Sequence, residues 1–255
     1  MRPILSIAAT TFRESIRNRT VLAILVLAAG FIASSLLLAE LALDQRVRVL
    51  KDWGLFCVAA FGVGLAILMG VNQVHKEVRR KTLYAVLSRP IPRWKYVLGK
   101  YAGTALTLLV EVGALAAGLV LLLLLEGAAP DILLLKALLL SLAEILLVAA
   151  LAVFFASFSS PYLSGFFTLG TFLVGRSVTV LVDLVERIDQ ASVHAVLKGL
   201  VLALPDLVDF NLSTQAVHGI DTPWATVGIT ALYGLAYATG LLFCSMWIFS
   251  RRNLT

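Results

Sequence analysis

The chain has 255 residues, 60% of them hydrophobic and 14% charged, with two cysteines, a mean hydropathy of +0.95 and a formal net charge of +6. A water-soluble domain carries roughly 45–50% apolar and about 25% charged residues, so there is too little polar surface here to cover a soluble globule. A soluble enzyme, a disulfide-built secreted module and a disordered tail are excluded, and the basic balance reads as membrane topology rather than nucleic-acid binding.

Pro3–Arg19 opens the chain as an amphipathic segment. Leu5, Ala8, Ala9, Phe12 and Ile16 fall on one stripe at helical spacing, beside a polar, basic stripe of Ser6, Thr10, Arg13 and Arg17. The pattern predicts a helix lying in the inner membrane interface, its arginines reaching anionic headgroups. A simpler reading makes it a positive anchor for the first span.

Apolar blocks of membrane length follow at Val21–Leu43, Trp53–Val74, Tyr101–Leu125, Ile132–Phe158, Tyr162–Val185 and Trp224–Phe249. The first is too long for a cleaved signal peptide and has no small-x-small site after it. A shorter run, Val193–Leu204, ends at Pro205 and suits a re-entrant or interfacial helix within an outer segment spanning 186–223. Cys57 and Cys244 fall inside apolar blocks and are expected as small buried residues. The small residues Gly62, Gly64, Gly99 and Gly103, the last two a G-x-x-x-G pair, are expected to permit close helix contact.

Fourteen of the 21 basic residues lie before the first block, in the 75–100 loop or after the last block, with only Glu14 and Glu77 as acidic company. The positive-inside rule therefore predicts an all-α integral membrane protein with six spans, both termini and the 75–100 loop being cytoplasmic. The loop Asp44–Asp52 is discordant: it carries Arg46, Arg48 and Lys51 on the predicted outer side.

The 75–100 loop is the most informative stretch. Glu77–Ser88 reads as a short helix with charges at its start and an apolar patch at Leu83, Val86 and Leu87. Pro90 and Pro92 end it, since proline lacks the N–H and disfavours helix at the preceding residue. The chain restarts at Arg93 and passes Trp94, Lys95, Tyr96 and Tyr101, side chains suited to the headgroup layer. A purely topogenic loop would not need an ordered apolar patch followed by two prolines.

Glu77, then Lys81-Thr82-Leu83, then Leu87-Ser88-Arg89-Pro90-Ile91-x-Arg93, then Gly99-Lys100 resembles the signature of ABC-2 type transporter permeases, in the manner of type V exporters. Lys81 departs from the glycine that many members carry there. The resemblance extends to the N-terminal elbow helix, the six spans, the outer re-entrant segment and the Phe249-x-Arg251-Arg252-Asn253-Leu254 ending. It implies a single transmembrane permease domain over the whole chain, paired with a second copy of itself, in a bacterial inner membrane. It also implies that two cytoplasmic ATPase subunits, carrying ATP and Mg, dock on a coupling helix at Glu77–Ser88. Glu77, Arg79, Arg80 and Lys81 would then supply charge complementarity, and Leu83 and Leu87 would pack into the ATPase cleft. Thr82, Ser88, Pro90 and Arg93 complete the matched positions, Arg93 with Arg89 being placed to hold the loop to headgroups or to the elbow helix.

No G-x-x-x-x-G-K-[ST] motif occurs, so the chain is expected to be no enzyme by itself and to bind no cofactor. His75, His194 and His218 are scattered, which gives no metal-ligand pattern. Charges inside the spans are costly in hydrocarbon. Glu40 and Lys136 lie near outer ends and can snorkel, so neither is assigned a role. Glu111, Glu144 and Arg176 lie deeper. Two readings stand for them: a polar patch on a translocation path, or a structural role as a buried Arg176–Glu pair that fixes helix register or as a neutral protonated carboxyl. For the chain as a whole, the rivals are an ATPase-independent secondary transporter or channel, and a mechanotransmission subunit acting on an outer or periplasmic partner at 186–223.

Overall fold

The computed structural model describes residues 2–41, 45–80, 93–186, 199 and 204–251, and every regular element among them is helical. In chain order these are α1 (Arg2–Ile16), α2 (Arg19–Leu41), α3 (Arg46–Arg80), α4 (Arg93–Leu125), α5 (Ile132–Ala156), α6 (Pro161–Arg176), α7 (Val178–Glu186), a 3-10 turn at Val208–Phe210, α8 (Ser213–His218) and α9 (Trp224–Arg251). Five of them, α2, α3, α4, α5 and α9, are long and apolar enough to cross a membrane. They coincide with five of the predicted blocks, though three begin earlier, α2 by two residues. Residues Arg46–Asp52, expected as an outer loop, form the first turns of α3, and α4 starts at Arg93 rather than Tyr101.

The block Tyr162–Val185, expected as one span, is two helices meeting at Ser177, whose backbone leaves the helical region at φ −111° and ψ 15°. The cause lies in a later part of the chain. The Leu207 N–H donates to the Gly175 carbonyl at 3.1 Å, taking an acceptor that an unbroken helix would offer to Thr179. Gly175 permits this approach, because a Cβ there would stand 2.6 Å from the Pro205 carbonyl oxygen.

Helix α5 is the hub. It is apolar around its whole circumference, the pattern of a helix surrounded by others, and it packs along α3 and α9 and also touches α4 and α6. Leu140, Ile145, Leu147, Val148 and Ala149 are fully enclosed. Gly62 of α3 lets this packing close up, since a Cβ there would stand 2.3 Å from Cδ1 of Ile145. Gly64, expected to share that role, faces open space. The outer helices turn large apolar side chains away from the bundle, among them Leu22, Val26, Leu106, Leu109, Leu232 and Leu235. That surface matches hydrocarbon, where packing rather than water exclusion holds helices together. Cys57 is buried as expected, but Cys244 faces outward on α9.

Helix α1 packs along the start of α4. It does so through a face offset from the predicted apolar stripe: Ile7 sits over Gly99, and Ala8 and Thr11 over Gly103. The missing side chains at Gly99 and Gly103 let Ile7, Ala8 and Thr11 come close against α4, while Leu5 and Ile16 stay off this contact. Those two remain 69% and 41% exposed, and Arg13 and Arg17 are exposed as well.

The predicted run Val193–Leu204 lies outside the described residues except for Gly199 and Leu204. The part of the outer segment that follows is built into the bundle. Leu207 and Phe210 are wholly enclosed in the main core. Phe210 lies over Gly234 of α9, where a Cβ would come within 2.9 Å of the ring. Gly219, at φ +69°, ends α8 in the left-handed conformation that glycine adopts without steric cost.

Candidate functional site: a cavity beside a buried ion pair

At the end of the bundle away from α1, helices α3, α5 and α6 separate around a cavity of about 530 Å³. This lies within the roughly 300–1,000 Å³ typical of small-molecule sites. Ala59, Ala60 and Leu173 give it apolar walls, while Ser141, Asn211 and Ser213 bring hydrogen-bonding groups to it. Arg176 occupies its polar side.

Arg176 closes α6 and reaches back to the middle of α5. Its Nε donates to Glu144 Oε1 and its Nη2 to Oε2, both at 2.8 Å, in the parallel fork that guanidinium and carboxylate planes favour. The Glu144 side chain is completely buried, whereas that of Arg176 is 25% exposed. The guanidinium also lies 5.6 Å from the Phe172 ring centre. Of the two readings of the intramembrane charges, the ion pair is therefore present, and Glu144 is the carboxylate in it. Both of its oxygens are engaged, so Arg176 is the member of the pair that meets the cavity.

Glu111 takes no part in that pair. It is 5% exposed on α4, and its Oε2 has no hydrogen-bond partner among the described residues.

Lys136 is not a snorkelling side chain. It is 3% exposed and holds the segment before α9: Nζ lies 3.2 Å from Asp221 Oδ1, donates to the Thr222 carbonyl at 2.6 Å and stands 5.2 Å from the Trp224 ring centre. Lys51, on the discordant loop, likewise donates to Asp131 at 2.6 Å and ties α3 to the α4–α5 connection. Lys51 and Lys136 thus serve as internal ties at this end. The sequence signal was available in the facing acids Asp131 and Asp221, but not the pairing.

Of the positions matched to the loop signature, Glu77, Arg79 and Arg80 lie on the last turn of α3, which runs on without a break, and Arg93 opens α4. Lys81, Thr82, Leu83, Leu87, Ser88 and Pro90 lie outside the described residues.

The sequence profile of the ABC-2 family transporter proteins matches residues 5–254. No curated protein matches the chain. The match covers nearly the whole length, so the chain belongs to the ABC-2 transporter family and is a multi-pass membrane protein.

Proposed function

We propose that this ABC-2 family member is the membrane-spanning permease subunit of an ATP-binding cassette transporter, exporting or flipping a substrate at the expense of ATP hydrolysed on separate subunits. The observation that carries this reading is the family match from residue 5 to residue 254, which takes in the bundle and the loop signature together. The lack of a G-x-x-x-x-G-K-[ST] motif agrees with a chain that receives its conformational push from a partner. Two cytoplasmic ATPase subunits dock on residues 77–88 of two permease copies, and ATP and Mg stay on the ATPases. Approach of the ATPases moves α3 and α4, between which that loop runs, as rigid levers. Six crossings, with α6 and α7 together making the fifth, would bring both termini to one side, and the basic residues around them support the cytoplasmic side of an inner membrane. The cavity beside Arg176 is this chain's contribution to the path, and Glu144 holds Arg176 at its wall.

The test is gentle purification of the tagged chain with mass spectrometry and an ATPase assay, alongside Glu77→Arg and Leu83→Asp variants. Co-purification of a P-loop ATPase by the wild type, lost in both variants, is the expected result. A chain that purifies alone and without ATPase activity overturns the docking claim and favours an ATPase-independent transporter.

A further inference from the structure

A second cavity lies at the opposite end of the bundle, where α1, the start of α2, the end of α3 and the start of α4 converge. It measures about 100 Å³, well above the roughly 10–15 Å³ that a single water requires. Its deep wall is polar: Thr11, Gln73 and Lys100 line it, with Glu14 also on the α1 side. Toward the spans the wall turns apolar, through Val21, Ile24 and Leu68.

Two groups in this wall have no hydrogen-bond partner among the described residues. Thr11 is 2% exposed and its hydroxyl has no partner among the described residues. Its neighbours behave differently: Thr10, Thr104 and Thr107 each place the hydroxyl 2.9–3.0 Å from the carbonyl four residues back. Thr11 turns its methyl onto Gly103, where a Cβ would stand 2.8 Å from Cγ2. Gln73 places its Oε1 2.6 Å from the Thr104 hydroxyl, while its Nε2 is buried with no partner among the described residues. Lys100 brings an ammonium into the same wall at 8% exposure. Buried donors are as a rule satisfied, so a wall that gathers two orphans beside Lys100, itself over the Tyr96 ring, is shaped for an acceptor that the described residues do not supply. Exposed Arg13, Arg17 and Arg19 surround this end with further positive charge.

We infer that this cavity seats the phosphate of a membrane phospholipid, held by Thr11, Gln73 and Lys100, with its acyl chains running along Val21, Ile24 and Leu68. The polar floor calls for an oxyanion, and the apolar wall calls for a chain attached to it. The lipid fills the wedge between α1 and the bundle and so fixes the angle at which α1 leaves it. The inference stands independently of ATPase coupling.

The experiment uses the full chain purified in detergent, with thermal unfolding and native mass spectrometry as readouts. Dioleoyl phosphatidylglycerol is expected to bind and raise the melting temperature, while dioleoylglycerol, without phosphate, and glycerol phosphate, without chains, have no such effect. Thr11→Val, which preserves shape, and Gln73→Leu should each require about tenfold more lipid for the same shift. Glu40→Gln, remote and exposed, should respond as the wild type does. An undiminished response in both Thr11→Val and Gln73→Leu overturns the site. Equal stabilisation by dioleoylglycerol removes the phosphate from it, and equal stabilisation by glycerol phosphate removes the lipid; either result also overturns the inference.

Discussion

Arg176 and Glu144 are joined by two hydrogen bonds of 2.8 Å each, from the last residue of α6 to a carboxylate fully enclosed at mid-length of α5. Neither residue is tolerable there alone. A lone carboxylate or guanidinium within a bundle carries a desolvation cost that only its partner offsets. The pair therefore fixes where the divided helix sits along the central one.

Replacing one member leaves the other buried and uncompensated. Arg176→Leu and Glu144→Leu should each destabilise the chain by about 3–5 kcal/mol, whereas the double variant should recover much of that loss. Thermal unfolding of the four proteins in detergent forms the cycle. Double-variant damage equal to the sum of the singles would show that the two residues act separately.

Glycine substitutions should divide by the space at each site. Gly103→Ala meets the Ala8 carbonyl at 2.7 Å and the Thr11 Cβ at 2.6 Å, so it should push α1 off α4 at a cost of about 1–3 kcal/mol. Gly113→Ala and Gly240→Ala meet nothing within 4 Å. Each should be neutral, or stabilising by up to about 1 kcal/mol, through improved helix propensity. Crosslinking between cysteines placed at Ala8 and Ala102 would report the loss of α1 docking directly.

The clamp at Lys136 should respond unequally from its two sides. Lys136→Met strands the Thr222 carbonyl and should cost about 1–3 kcal/mol. Asp221→Asn should cost less than about 1 kcal/mol, because that side chain is 87% exposed and the carbonyl bond survives. Limited proteolysis within residues 219–223 should accelerate in the first variant only. Equal sensitivity of the two would mean that the ion pair, not the carbonyl bond, secures the segment.

Phe210 fills the space above Gly234 with no exposure of its own. Phe210→Ala should cost about 3–5 kcal/mol, whereas Phe210→Leu should cost appreciably less. Unfolding midpoints compared with that of wild type decide this, and a mild effect of the alanine would show that the segment can collapse onto the bundle.

Much of this architecture can be read from local sequence, and the exceptions share one cause. The five long helices follow from block length, but the central place of α5 does not, because α2 and α4 are equally apolar and far less buried. The break at Ser177 is not fixed locally: Gly-Arg-Ser-Val puts a cation and a serine into the run but no proline, and what parts the helix is the Leu207 N–H from beyond Pro205. Lys136 looks like any lysine near a membrane border until Asp221 and the Thr222 carbonyl meet it. The sequence placed Arg176 in a possible ion pair, but Glu111 and Glu144 both lay at mid-span, and only packing chose between them. The face that α1 uses also depended on its partner, since Gly99 and Gly103 receive Ile7, Ala8 and Thr11, of which only Ala8 belongs to the apolar stripe.

The order of the chain gives the ion pair a meaning for biogenesis. Helix α6 has 16 residues and ends on a cation, a segment too short and too charged to enter a bilayer readily by itself. By the time it leaves the ribosome, α5 has already emerged, carrying Glu144 at the depth where Arg176 must arrive. The divided helix thus has a berth prepared by its predecessor. Glu144→Leu is accordingly expected to lower the membrane-integrated fraction of segment 161–186 in a cell-free translation assay with microsomes, even where α5 inserts normally.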